Sequence, residues 1–336
     1  MDELGIKDAR AAWRGDAFPT PRGWVHTLTA AMQDDIIVTA QAAAAANRAG
    51  RAQPLHAYAL PTAKPLLDAA KYELEHGLGF AVLAGFPVDA LDREETRLAY
   101  AGLCAHFGQA VVQNGRGERM VDVFDVGKDY SDQSRGYHGH ALLPFHTDGT
   151  KGETDPVHYA ALLCCETAAS GGKSAIASGV TLYAAIRDRR PELLPALERG
   201  FHHHRQGDHP ENHLPISRDR IPVFSFYDGY LRCRYNRNNA QWAERAGATL
   251  EEIERDALST VDAVLSERGF ALSMGLEKGD LQIINNFTVL HSRSAYTDAP
   301  GTRRHLLRLW LSRRDSPRGG YDLIERFSGA ESRFND

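Results

Sequence analysis

His146 and Asp148, in the run Pro144-Phe145-His146-Thr147-Asp148-Gly149, place an imidazole and a carboxylate two residues apart. Side chains alternate along an extended strand, so the two point to one face and offer a nitrogen and an oxygen to one divalent cation. A third ligand is available near the end of the chain in His291, which closes the run Asn285-Asn286-Phe287-Thr288-Val289-Leu290-His291. Two histidines and one carboxylate on one side of a metal leave the opposite positions open, the arrangement associated with non-haem Fe(II) oxygenases. A chain of 336 residues with 15 histidines also produces a His-x-Asp by chance, so the tripeptide alone carries little weight.

A second chemical signal lies in His305-Leu306-Leu307-Arg308-Leu309-Trp310-Leu311, which reads as a strand. Alternation puts Arg304, Leu306, Arg308 and Trp310 on one face. A guanidinium buried among large apolar residues needs an anionic partner, since its desolvation otherwise costs several kcal/mol. No acidic residue stands in that strand, so the partner is either a structural Asp or Glu elsewhere or a small dicarboxylate held bidentately. The histidine-rich stretch Phe201-His202-His203-His204 through His213 lacks a patterned carboxylate or cysteine. It is expected to be a solvated or interface-forming loop rather than a second metal site.

The elements that must position these residues are legible in outline. Residues 1–55 are alanine-rich, with Gln41-Ala42-Ala43-Ala44-Ala45-Ala46 at their centre, and are expected to form a helical N-terminal extension. In it Met32, Ile36, Ile37 and Val38 would supply an apolar stripe. Residues 62–77 suggest a second helix stopped by Gly77 and Gly79, and Asp92 caps a third that ends at Gly108. Short apolar runs at Phe80–Phe86 and Tyr159–Cys165 read as buried strands, and Gly171-Gly172 turns into another at Ser174–Ser178. Residues 180–200 and 249–268 read as helices, and Asp228-Gly229 marks a hairpin within Val223–Tyr235. Gly279-Asp280 turns into Leu281–Ile284 and so towards His291. The irregular polar stretch from Asn114 to about Phe145 is a candidate substrate-covering lid, although a plain surface loop has the same composition.

Composition bounds the partners. Hydrophobic residues make up 43% and charged residues 25%, ordinary values for a globular protein. A net charge of -5 with scattered basic residues gives no polyanion-binding signature, so nucleic acid is not expected. The first residues lack a secretory pattern and no apolar run is long enough to span a bilayer. Cys104, Cys164, Cys165 and Cys233 have no zinc-ribbon spacing and read as reduced thiols of a cytoplasmic protein. The sequence leaves the oligomeric state open, a homo-oligomer included.

The order His146-x-Asp148, Gly171-Gly172-Lys173-Ser174, Asn286-x-x-x-x-His291 and Arg304-x-x-x-Arg308 resembles the TauD/TfdA family of Fe(II)- and 2-oxoglutarate-dependent dioxygenases. The similarity runs from about Gly79 to Leu311. It implies one domain over residues 1–336, with a mainly-β, double-stranded β-helix (jelly-roll, cupin-like) core, flanking helices and a lid at 114–145. It also implies that His146, Asp148 and His291 hold iron, and that Arg304 and Ser174 bind the far carboxylate of 2-oxoglutarate. Arg308 would lie near the metal and contact either the keto acid or an anionic group of the substrate. Asn286 has a turn role or orients the distal histidine strand, and Arg293 forms a structural ion pair or a lid contact.

The implied reaction consumes O2 and 2-oxoglutarate, releases succinate and CO2, and hydroxylates an unactivated C–H of a small metabolite. An amino acid-like or carboxylate-bearing molecule, such as a biosynthetic intermediate, is preferred over a taurine-type sulfonate. Desaturation or ring closure shares the same chemistry. Halogenation is disfavoured, because Asp148 occupies the position where halogenating relatives carry Gly or Ala. A cupin-like metal hydrolase or isomerase, or a non-catalytic 2-oxoglutarate sensor, would use the same residues differently.

Overall fold

Two β-sheets face each other across an apolar layer, and helices cover their outer faces. A computed structural model describes residues 6–18, 20, 24–51, 59–149, 155–207 and 215–323. The larger sheet runs in the order Val25–Thr27, Phe80–Ala84, Leu281–Asn285, Tyr159–Glu166 and His305–Ser312. Gln109–Ala110 and Met120–Val123 both pair with the far side of His305–Ser312. The smaller sheet runs Leu272–Met274, Ser174–Ser178, Val289–Arg293 and Leu143–His146. Every pairing is antiparallel except that of Val25–Thr27 with Phe80–Ala84.

The pleat of these strands sorts their side chains. Leu307, Leu309 and Leu311 turn outward and pack with Leu163, Ile283 and Leu83 against the helices Ala30–Arg48, Lys64–His76 and Arg93–Cys104. Phe80, Ile284 and Trp310 turn inward and meet Ile176, Met274 and Val289 of the smaller sheet. The outer face of that sheet, with Ala177 and Leu290, is buried under Val180, Phe224, Leu231 and Val261 of the later helices and the hairpin. The third helix starts as expected, with Asp92 and Glu95 forming a reciprocal capping box. The hairpin turns at Asp228 and Gly229, whose φ values of 46° and 77° suit a tight two-residue loop.

Several expectations need correction. The helix in the N-terminal extension covers only Ala30–Arg48; residues 6–18 form a strap with two short 3-10 turns, and Val25–Thr27 is an edge strand. Burial rather than alanine content decides that region, because Trp13 and Trp24 insert beside Phe80 in the inter-sheet layer. Val38 is 66% exposed and lies off the apolar stripe that Ile36 anchors. Residues 1–5, 19, 21–23 and 52–55 of the extension lie outside the described residues. The helix expected over 180–200 breaks into Gly179–Arg189 and Leu194–Arg199 around Pro191, which removes a backbone donor. Within the range expected to form a lid, Met120–Val123 is a strand of the larger sheet. The four cysteines are unpaired. No described helix is long and apolar enough to cross a membrane.

Candidate active site

His146 ends one strand of the smaller sheet and His291 stands directly opposite on the neighbouring strand. Antiparallel partners project to the same face, so both imidazoles enter the space between the sheets, with ring centroids 4.2 Å apart. Asp148 arrives differently from the simple alternation expected of it. The strand stops at His146, and Asp148 sits in a bend that other groups fix. Asn286 accepts a hydrogen bond from the Asp148 N–H (2.8 Å) and donates to the Asp148 and Val157 carbonyls (2.9 and 3.0 Å). Trp310 Nε1 donates to Asp148 Oδ2 at 2.7 Å from the opposing sheet. The role of Asn286 is therefore a clamp on the carboxylate loop.

The result is a cluster of three ligand atoms, all within 4.8 Å of one another. His146 Nε2 lies 3.7 Å from Asp148 Oδ1, and His291 Nε2 lies 3.7 Å from Oδ2. His146 Nδ1 is 2.9 Å from the Pro144 carbonyl; a proton held there leaves the Nε2 lone pair facing the carboxylate. Burial pushes both imidazoles towards the neutral form, His291 down to about 3 with help from the neighbouring His146. Burial alone would raise the Asp148 carboxyl. The charge of Arg308, with the adjoining imidazole rings and the Trp310 bond, instead holds it at about 2. Two neutral imidazoles and one carboxylate are the protonation states that a divalent metal requires, so the donor set fits Fe(II).

Two cavities open beside this cluster. One is lined by Ser174, His291, Arg293, Arg304, Leu306 and Arg308, with about 540 Å³ of unfilled space. Arg304 is buried, and its Nη1 has no hydrogen-bond partner among the described residues. Burial lowers its affinity for the proton, so an anion entering here would find an unneutralised guanidinium. Gly172 lets that side chain pass. At φ +66° it adopts a left-handed conformation, and a Cβ there would lie 3.0 Å from Arg304 Nε. Ser174 Oγ lies at the cavity wall and donates its one proton to Gln282 Oε1 (3.0 Å); to meet a carboxylate the hydroxyl must rotate that proton away from Gln282 and into the cavity.

The second cavity is lined by Tyr130, Arg135, Gln206, Asn236, Asn239 and Trp310 and also reaches His146. Arg308, Tyr137 and Leu143 border both. The Arg308 guanidinium is stacked between Tyr137 and Trp310, 4.7 Å from each ring centroid. Gln113 accepts from its Nε at 2.7 Å, and its Nη1 is 3.6 Å from Asp148 Oδ1.

The structure thus brings His146, Asp148, His291, Ser174, Arg304 and Arg308 to one locus. It also adds residues the sequence did not single out: Gln113, Gln206, Asn236 and Asn239. The last two belong to the N-terminus of the helix Arg237–Arg245, where Asn236 is the cap. An Asn-x-x-Asn ahead of a polar helix is a visible capping signal, but nothing in it announces a pocket. The histidine-rich segment is not a solvated loop where it is described. His203 and His204 are buried, and Gln206 Nε2 donates to the Ser131 carbonyl at 2.9 Å, tying the segment to the loop that carries Ser131. His209 and His213 lie outside the described residues.

Residues 50–310 match the family described as "Taurine catabolism dioxygenase TauD, TfdA family". The chain is 32% identical over 314 residues to FR-33289 synthase of Streptomyces rubellomurinus, covering 90% of this chain and 89% of that protein. Among solved structures it resembles an asparagine oxygenase in complex with Fe(II), 2S,3S-3-hydroxyasparagine and succinate (TM-score 0.63, 19% identity, 86% of this chain and 94% of that one). It also resembles the non-heme iron oxygenase OrfP in complex with Fe and alpha-ketoglutaric acid (TM-score 0.62, 15% identity, 86% and 94%).

Proposed function

Because the chain belongs to the TauD, TfdA dioxygenase family and is a 2-oxoglutarate-dependent non-haem iron dioxygenase, we propose that it hydroxylates an unactivated C–H of a small anionic metabolite. Amino acid-like or carboxylate-bearing molecules, biosynthetic intermediates among them, are the preferred class. In this reading His146, Asp148 and His291 hold the iron, and Arg304 with Ser174 holds the far carboxylate of 2-oxoglutarate. The observation that carries it is the convergence of two neutral imidazoles and one carboxylate between two cavities. One of those cavities contains a buried guanidinium with an unmet donor. A metal hydrolase or isomerase would have no use for that guanidinium. The facing sheets support a double-stranded β-helix as the description of the core, and the free thiols suit a reducing cytoplasm.

Bound iron, with 2-oxoglutarate and O2, supplies an oxidation in which one oxygen atom enters succinate, CO2 leaves, and the other oxygen enters the substrate C–H bond. The chain's own residues do the positioning. Asp148, kept ionised and oriented by Trp310 and the Asn286 clamp, would hold the metal together with His146 and His291. Arg308, immobilised by its two rings and Gln113, presents positive charge to both cavities at once. Arg135 adds a second positive charge to the polar cavity, and Tyr130, Gln206, Asn236 and Asn239 offer hydrogen bonds there. That lining suits a substrate with an anionic head and polar flanks. The asparagine of the similar oxygenase and the taurine of the family description are molecules of that kind.

Incubation with Fe(II), 2-oxoglutarate and isotopically labelled O2 against a panel of anionic and neutral metabolites tests the proposal. An anionic substrate should acquire one labelled oxygen in step with succinate. Turnover restricted to compounds without a carboxylate, sulfonate or phosphonate would overturn the assignment of the polar cavity.

A further inference from the structure

Arg293 lies two residues beyond His291 on the same strand, so its side chain enters the inter-sheet space from the same face, one alternation step (roughly 7 Å) further along. Its direct cross-strand neighbour is Ser174 on one side, and it pairs with Leu143 on the other. It lines the cavity that holds Arg304, is 7% exposed, and makes no ion pair among the described residues. The two guanidinium carbons stand 4.9 and 5.0 Å from the centroid of the same Tyr296 ring. Two guanidiniums therefore share one ring and one cavity with no carboxylate paired to either among the described residues. One N–H of Arg293 is used, since Nη2 donates to the Ala141 carbonyl; Nε is buried and has no partner.

We infer that Arg293 is a second cation of the co-substrate pocket, donating from Nε to the far carboxylate of 2-oxoglutarate while Nη2 keeps its hold on Ala141. This rests on the reading of Arg304 and Ser174 as the clamp on that carboxylate. It makes Arg293 a positioning residue that ties the filling of one cavity to the wall of the other. The Tyr296 N–H already bonds the His140 carbonyl at 3.1 Å, so the segment entering the metal strand is tethered twice at the rim of this cavity. Leu143, a few residues on, borders both cavities. Neutralising the facing guanidiniums removes their repulsion and fixes Arg293, and with it residues 140–143, before substrate enters.

The test uses the Fe(II)-loaded full chain without O2. 2-Oxoglutarate is titrated by equilibrium binding, and amide hydrogen exchange over 137–143 is followed with and without it. In the wild type the co-substrate should slow exchange there. Arg293→Gln should raise the Kd for 2-oxoglutarate by about ten- to a hundredfold, the effect of losing a charge-assisted hydrogen bond. It should leave the Kd for Fe(II) unchanged and abolish the slowing. Arg293→Lys keeps the charge but cannot hold both acceptors, so it should recover much of the affinity without the slowing.

Wild-type affinity and wild-type slowing in Arg293→Gln would overturn the inference while leaving the proposed function intact, provided Arg304→Ala still loses 2-oxoglutarate. Wild-type affinity in Arg304→Ala as well would bring down both. Loss of Fe(II) binding in Arg293→Gln would show a structural role and overturn the inference. If the Gln variant does not fold, Arg293→Lys decides, because wild-type slowing in that variant contradicts the bridge.

Discussion

Substituting Asn286 should loosen the metal centre without touching a ligand atom. Its side chain is 3% exposed and makes three hydrogen bonds, two to the Asp148 backbone and one to the Val157 carbonyl. Asn286→Ala removes all three. At a net 0.5–1.5 kcal/mol each, stability should fall by about 1.5–4.5 kcal/mol, more where the abandoned groups stay out of water. Asn286→Asp keeps the acceptor for the Asp148 N–H but sets a carboxylate oxygen against two carbonyls. It should cost at least as much. Because the clamp holds the loop that carries Asp148, Fe(II) affinity should fall by about ten- to a hundredfold, the range found when groups supporting a metal ligand are removed. Anaerobic Fe(II) titration beside urea unfolding of the metal-free protein reads both effects. A folded Asn286→Ala with metal affinity within about twofold of wild type would refute the reasoning, since Asp148 would then be held by something else.

Trp310→Phe removes the 2.7 Å bond to Asp148 Oδ2 but keeps the packing against Arg308. It should weaken Fe(II) binding by about tenfold, the effect of a hydrogen bond to a charged group, and unchanged binding would show that the backbone clamp suffices. Gly172→Ala puts a Cβ 3.0 Å from Arg304 Nε in a backbone that disfavours it. The 2-oxoglutarate requirement should rise severalfold with Fe(II) affinity intact; an unchanged requirement would mean Arg304 does not serve the co-substrate. For pH, His291 has a folded pKa near 3 against an ordinary 6.5. Below about pH 6.5 the unfolded chain takes up a proton that the buried imidazole refuses, so the metal-free protein loses up to about 1.4 kcal/mol per pH unit for that group. His146 and His158 act in the same direction. Asp148, held at about 2 against 3.8, contributes stability that is lost only below about pH 3.8. Between pH 6.5 and 4 the unfolding midpoint of His291→Asn should therefore depend less on pH than that of the wild type, and parallel slopes would contradict the assignment.

The metal residues were legible because their chemistry is tied to the strand period: His146 and His291 need only face inward to meet. Arg308 and Trp310 were legible for the same reason, as one face of a strand whose other face is leucine, and Arg304 enters the same cavity from just before that strand. Period alone did not supply the position of Asp148, which depends on Asn286 and Trp310 from distant segments. Gln113, Gln206, Asn236 and Asn239 carry no spacing signature, and they reach the site through tertiary contacts that no local window contains. The N-terminal strap was misread because alanine content reports helix propensity, while Trp13 and Trp24 answer to burial.

The most direct test of the central claim is an anaerobic titration of the metal-free protein with Fe(II) and then 2-oxoglutarate, followed by visible absorption. Chelation of iron by the keto acid should give a weak charge-transfer band, absent without 2-oxoglutarate, lost in His146→Ala, and lost in Arg304→Ala at co-substrate levels that saturate the wild type. A folded, iron-loaded protein that shows no band, or a band indifferent to those substitutions, would contradict the assignment of His146 and Arg304 to the iron and co-substrate sites.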